Sequence, residues 1–325
     1  MVNHNLENLS SISTDTLDEL DVQIIEQLKI DARQSLRAIA SELDVSRETV
    51  RNRLNRLMSE DTLRIVCLAN QQRLGYHFML VVGIRARPGY TESVAKKLTD
   101  LPGVIHVSLA GNRYNIFMWA LLRDQEELSQ FVTRDLTSIS NITSIEIMHS
   151  FNPLKEFWQV QTSETESPNS SSKDPLDELD MSIIKTMQQN PRQTFKELAS
   201  SIGCSRQVAS SRLETLIQEG TIGFIPMVNT TILGYSNWVV ILLKAEPNKI
   251  IDITDHLSTQ DTIWYVSLVT GQWQIYAVAL FQDSRQSNNF ATDTLNSIPG
   301  ITEFEIIPLG RHVDFSFPLN LGSIQ

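Results

Sequence analysis

Cysteine is nearly missing from this 325-residue chain, which has only Cys67 and Cys204. Two thiols cannot build a disulfide framework or, by themselves, a zinc site. No run approaches the ~18 consecutive apolar residues that a membrane-spanning helix needs. The opening MVNHNLENLSSISTDT has neither a basic nor an apolar region, so no secretory signal is expected and the chain reads as cytoplasmic, with no membrane partner. Positive charge is also in short supply: 27 Lys and Arg against 38 Asp and Glu leave a net charge of −11. A field of that sign repels phosphate and excludes a protein that coats nucleic acid indiscriminately, unless the cations are concentrated somewhere. The histidines (His4, His77, His106, His149, His256 and His312) show no close metal-ligand spacing, and no metal or cofactor is implied. What is present is ordinary globular composition, 41% hydrophobic and 20% charged, at a length that favours two or three domains.

The chain repeats itself. Leu17-Asp18-Glu19-Leu20-Asp21 returns as Leu176-Asp177-Glu178-Leu179-Asp180, and the same register holds through Ser46-Arg47 and Ser205-Arg206, then Arg53-Leu54 and Arg212-Leu213. It persists in Leu74-Gly75-Tyr76 against Leu233-Gly234-Tyr235 and in Val107-Ser108-Leu109 against Val266-Ser267-Leu268. One slip is expected, where Gly111–Asn115 faces Gly271–Gln274, as though the first copy carried an extra residue at a hairpin tip. Between the copies, QTSETESPNSSSKDP is too polar to bury a core and reads as a tether. The period is too long for a solenoid and describes two copies of one multi-domain unit.

Each copy reads as an α part followed by an α/β part. Leu17, Leu20, Ile24, Ile25 and Leu28 recur at helical spacing, with acids in the first turn where the helix dipole favours them. A second helix starts near Ser35, and Ser46 caps a third. Thr62–Leu68 and Thr221–Met227 are β-prone and suitable as wings. From His77 the order is strand (to Ala86), helix (Thr91–Leu101), strands (Val104–Ala110 and Tyr114–Leu122), helix (Asp124–Ile139) and strand (Ile142–His149), and the second copy repeats it. This βαββαβ order predicts a ferredoxin-like domain, so the fold class is α+β: two copies of a winged helix-turn-helix plus a ferredoxin-like domain. The expected divisions are a tail (1–16), first winged domain (17–68), first α/β domain (69–160), linker (161–175), second winged domain (176–227) and second α/β domain (228–318).

The missing cations are concentrated on the third helix. Arg47, Arg51, Arg53 and Arg56 stand there against Glu48 alone. In a helix-turn-helix such a segment enters the major groove of double-stranded DNA with its first residues at the base edges. Arg47 and Asn52 are candidate base readers, and Arg53 and Arg56 candidate phosphate holders, with Ser46, Thr49 and Arg51 completing the surface. The second copy keeps Ser205, Arg206 and Arg212, but Arg51, Asn52 and Arg56 become Ser210, Ser211 and Thr215. It is expected to grip phosphate more weakly and to read a different sequence through Arg206 and Gln207.

The LDELDxxII opening of both copies, the strings SRETVRNRLNRL and SRQVASSRLETLIQEGTI, and LGY before the first strand of each α/β part together resemble the Lrp/AsnC family of transcriptional regulators. The resemblance implies a DNA-binding domain joined to a regulatory domain that self-associates through its sheet and takes small effectors, commonly amino acids, at interfaces. Two copies in one chain then amount to a covalent pseudo-dimer. By this resemblance the effector turns are Gly111, Asn112, Arg113 and Tyr114 in the first copy and Gly271, Gln272 and Trp273 in the second. Amides stand where the family carries acids, and Arg113 adds a cation, which points to an acidic or neutral ligand. The same scaffold also resembles the sirohaem decarboxylases: His106 and Tyr114–Phe117 are similar to part of their pattern. However, Val107-Ser108 replaces the expected Cys-Tyr pair, and Tyr265 stands at the histidine position of the second copy. A non-catalytic regulator is therefore the expected function, with a sequence-indifferent nucleoid protein as a further alternative.

Overall fold

The computed structural model describes residues 17–156 and 175–315; the expected tail and all of the expected linker except Pro175 lie outside them. The first copy contains α1 (Glu19–Ile30), α2 (Leu36–Glu42), α3 (Arg47–Ser59), β1 (Leu63–Ala69), β2 (Phe78–Ala86), α4 (Thr91–Thr99), β3 (Val104–Ala110), β4 (Ile116–Leu122), α5 (Gln125–Gln130), α6 (Leu136–Ser138) and β5 (Ile142–Glu156). The second copy contains α7 (Glu178–Gln189), α8 (Phe195–Ile202), α9 (Arg206–Gln218), β6 (Ile222–Val228), β7 (Asn237–Ala245), α10 (Ile250–Ser258), β8 (Ile263–Val269), β9 (Ile275–Phe281), α11 (Ser284–Asn289) and β10 (Ile301–Phe315). Contacts gather like with like: one compact unit holds both helical parts (17–74 and 175–234), the other both α/β parts (75–156 and 235–315).

In the helical unit the recurring LDELD string is a capping box. The Asp18 carboxylate accepts the Asp21 amide at 3.0 Å and the Asp21 carboxylate accepts the Asp18 amide at 3.2 Å, and Asp177 and Asp180 repeat the exchange. Downstream, Ile24, Ile25 and Leu28 bury fully against Ile39, Val50 and Leu57. Each such side chain contributes about 1.5–3 kcal/mol. The turn into α3 needs a left-handed residue: Asp44 takes φ 51°, and Gly203 takes φ 72° at the equivalent place. The two β-prone runs do not form a wing within each copy. They pair with each other, antiparallel from Leu63↔Val228 to Ala69↔Ile222, and Val228 and Phe224 complete the first copy's core. Two equivalent arginines fasten the pair. Arg33 donates to the Gln193 carbonyl at 3.0 Å, while Arg192 donates to those of Ala32 and Gln34 at 2.6 and 2.9 Å.

In the α/β unit the first copy's strands are ordered β3-β4-β2-β5 and the second copy's β8-β9-β7-β10, all antiparallel. The last strand of each is 15 residues long, about twice the expected length, because it overruns its own sheet to pair with the other copy. β5 reaches β8 and β10 reaches β3, closing an eight-stranded barrel. One face of the first sheet packs under its helices through Leu80, Val82, Met118 and Ala120 against Val94, Leu98, Phe131 and Leu136.

Two local expectations change. The helix expected over Asp124–Ile139 opens into a π-helical turn at Phe131–Asp135, and Phe290–Thr294 does the same in the second copy. Phe131 and Leu136 are both buried, as are Phe290 and Leu295. A five-residue spacing lies about 140° apart on an α-helix, and only wider winding brings both onto the sheet. The expected slip at the hairpin tip is also absent. Ala110 N–H bonds Asn115 O as Val269 N–H bonds Gln274 O, so the turns are equally long. Their left-handed positions are Asn112 (φ 66°) and Gly271 (φ 110°), so Gly271 is equivalent to Asn112 and not to Gly111.

Replacing Gly83 by alanine would put a Cβ 2.8 Å from the buried Tyr114 ring. Denaturant unfolding of Gly83→Ala is expected to show a loss of about 1–3 kcal/mol. An unchanged midpoint would mean that the ring is free to move.

Candidate nucleic-acid interface

The third helix of the first copy begins at Ser46, whose hydroxyl accepts the Thr49 amide at 2.9 Å and lies 2.8 Å from the Thr49 hydroxyl. Val50, Leu54 and Leu57 turn into the core, while Arg47 at the helix start and Arg51 and Asn52 on the next turn are exposed. Arg51 also pairs with Glu48 one turn back, both ends well exposed, a contact of little energetic consequence in water.

Arg53 and Arg56 are placed differently from the expectation that they face phosphate freely. Arg53 pairs with Asp18 and lies 3.3 Å from Asp21, and Arg56 pairs with Asp21, whose side chain is fully buried. The acids at the start of α1 thus cap their helix and tie down α3, Asp21 from within the core and Asp18 from the surface. Burial works against the charge on Asp18, but Arg53, the Asp21 amide and Arg56 outweigh it and hold the carboxyl below its ordinary range. The same contacts raise the Arg53 guanidinium, the Asp18 hydrogen bond first among them. Asp18, Thr49, Asn52, Arg53 and Arg56 together line an open notch of about 490 Å³ beside the exposed arginines.

The second copy repeats the tie with one arginine instead of two. Arg212 meets Asp177 at 2.9 Å and Asp180 at 3.3 Å; Thr215 replaces Arg56 and donates to the Ser211 carbonyl. Ser205 caps α9 by accepting the Val208 amide at 3.2 Å, Ser210 donates to Glu214 at 2.9 Å, and Arg206 and Gln207 are exposed. Sequence reasoning gave Asp18, Asp21, Asp177 and Asp180 no part in this surface. The signal was available, because an acid and an arginine keep the same separation in both copies.

The comparisons with known proteins fit this arrangement. Residues 17–58 match the AsnC-type helix-turn-helix domain, 176–222 a winged helix-turn-helix DNA-binding domain, and 79–159 and 239–313 the Lrp/AsnC ligand binding domain. An HTH-type transcriptional regulator of Pyrococcus abyssi is 34% identical over 131 residues, 40% of this chain and 83% of that protein. One from Pyrococcus horikoshii is 31% identical over the same shares. The chain belongs to the Lrp/AsnC family. Its relatives align to a single copy, so the tandem arrangement spans two Lrp/AsnC units. The crystal structure of the siroheme decarboxylase NirDL has the same fold, with a TM-score of 0.66 at 13% identity over 90% of this chain and 92% of that one.

The turns that the Lrp/AsnC resemblance marks for an effector are engaged with the opposite copy. Gly111 N–H bonds the Pro308 carbonyl at 2.9 Å and the Asn112 amide bonds the Ile306 carbonyl at 3.2 Å. Arg113, 43% exposed, lies between Glu146 (3.5 Å) and Glu305 (3.7 Å). The Tyr114 hydroxyl donates to Glu146, and the Gln272 amide reaches the same carboxylate at 2.6 Å. Gly271 supplies the turn, and Trp273 is buried with Lys244 5.1 Å from its ring centre. His106 and Tyr265 lie inside the barrel. The His106 ring stacks 4.7 Å from Trp119, and the Tyr265 hydroxyl bonds Ser150 at 2.7 Å.

Two outcomes follow for the tie. A carboxylate whose folded pKa is lowered contributes stability above its unfolded pKa and loses it as pH falls through the folded value. For Asp18 the loss therefore lies below about pH 4. Thermal unfolding between pH 5 and pH 2.5 is expected to be less acid-sensitive in Asp18→Asn than in the wild type. Asp21→Asn keeps the shape but loses the charge, and is expected to cost about 1–3 kcal/mol in denaturant unfolding.

Proposed function

We propose that the chain is a sequence-specific regulator that binds double-stranded DNA as a covalent pseudo-dimer, with the first recognition helix dominating affinity. The observation that carries this reading is the exposure of Arg47, Arg51 and Asn52 in the first two turns of α3, in a protein of net charge −11. Arginine pairs two-pronged with guanine and asparagine with adenine, each good pair being worth about 1–3 kcal/mol of discrimination. Ser46 and Thr49 shape the helix start, while Arg53 and Arg56 position α3 through Asp18 and Asp21 and offer their remaining donors to phosphate at the notch. On the second copy Ser205, Arg206, Gln207 and Ser210 form the lesser surface, and Arg212 is a positioning residue. A tether between the copies raises the effective concentration of one half for the other and removes the dissociation that weakens a two-chain dimer at low concentration.

The regulatory half is read as two ferredoxin-like domains, since each copy's strand order (second, third, first, fourth) is the one that βαββαβ connectivity produces in that fold. We place effector binding at the docked turns: an acidic ligand would compete with Glu146 and Glu305 for Arg113. Further self-association would use the regulatory domains. No catalytic role is assigned, because His106 and Tyr265 are packed into the barrel interior. Among the described residues no helix is long and apolar enough to cross a membrane, and we read the protein as cytoplasmic.

Genome-wide capture followed by footprinting tests the reading. The first half-site is expected to be protected more strongly than the second, and Arg47→Ala with Arg51→Ala to weaken binding by one to two orders of magnitude, against less than tenfold for Arg206→Ala. Each lost phosphate contact lowers the salt slope by about 1. No binding at low salt, or identical slopes on every sequence, would overturn it.

A further inference from the structure

The first turn of α9 carries an apolar group that the fold leaves partly in water. Ala209, Leu213 and Leu216 are the residues that α9 buries. Val208 stands beside them with 40% of its surface in water, one of the few large apolar side chains so exposed. A branched side chain there loses rotamer freedom in a helix and leaves two-fifths of its surface hydrated, so packing only partly offsets that loss. Its backbone amide serves the Ser205 cap, a service that any residue except proline would perform. In the first copy the equivalent residue is Thr49, half-buried, with its hydroxyl against Ser46. Next to Val208 are the exposed Arg206 and Gln207. Gln207 replaces Glu48, the acid that pairs with Arg51 in the first copy. Where α3 leads with guanidinium groups and a carboxylate, α9 leads with one guanidinium, one amide and one isopropyl group.

These three groups have distinct complements in a major groove. Glutamine pairs two-pronged with adenine, and an apolar side chain meets the 5-methyl of thymine, the only apolar group on a base edge there. We infer that Val208 reads a thymine methyl and Gln207 an adenine. The second half-site then carries A·T pairs at Gln207 and Val208 beside any guanine that Arg206 meets, while the arginines and Asn52 make the first depend on guanine and adenine. The pair of half-sites is unlike in chemistry as well as in strength. This rests on the DNA-binding reading above and adds to it the class of base that the second helix takes.

Selection of duplexes from a random pool by the full-length chain supplies the probe, and footprinting assigns its two arms. The thymines of the second arm are then replaced singly by deoxyuridine, which removes only the methyl. Wild type is expected to bind one such duplex about fourfold more weakly, the worth of one desolvated methyl. Val208→Ala should bind the thymine duplex about as weakly and be indifferent to the same replacement. Arg47→Ala should keep the full methyl effect. The inference is overturned if wild type ignores every methyl, if Val208→Ala still responds to the methyl that wild type feels, or if the selected second arm holds no thymine. A pool from which nothing is enriched would instead remove the regulator reading itself, and this inference with it.

Discussion

Neither copy satisfies its own strand edges, and most of the architecture follows from that. An unpaired edge leaves a row of amides and carbonyls open to any other strand. Here β1 finds β6 in a two-stranded sheet, while β5 finds β8 and β10 finds β3, so the barrel closes with the other half of the same chain. The extra length of β5 and β10 is spent entirely on this. The turns at Gly111–Asn115 and Gly271–Gln274 then dock on those overrunning strands, and Arg113 settles between Glu146 and Glu305. Each docked turn therefore meets groups of both copies.

Charge is handled with the same economy. Asp21 is buried beside two arginines, whereas Asp180 has one. Burying a carboxylate demands nearby cations or hydrogen bonds, and the recognition helix provides them from the side that faces α1. The arginines of α3 therefore divide into two sets: Arg53 and Arg56 answer to the core, while Arg47 and Arg51 answer to solvent. Counting arginines along the helix cannot make that division, because it depends on which residues of a distant helix they meet.

Local structure was legible in the sequence wherever one segment decided it. The capped start at Ser46 and the apolar faces of α1 and α3 follow from spacing and side-chain chemistry within a few residues. The order of strands and helices in the α/β part was legible for the same reason. Pairing between copies was not, since the β-branched pattern of Thr62–Leu68 suits a local hairpin and an exchanged strand equally. The π-helical turns were hidden because Phe131 and Leu136 fit no α-helical face, and their five-residue spacing is visible only once the sheet they cover is known. At the surface for nucleic acid, exposed side chains such as Arg47 could be named in advance, but the anchoring of Arg53 to Asp18 could not.

A two-chain assembly writes every substitution twice, once in each arm. Joining the copies removes that constraint, and Thr215 illustrates it: one half has a threonine where its counterpart has Arg56 on Asp21. Each arm is free to drift toward its own sequence without spoiling the other, so a target with no palindromic character becomes as reachable as a symmetric one.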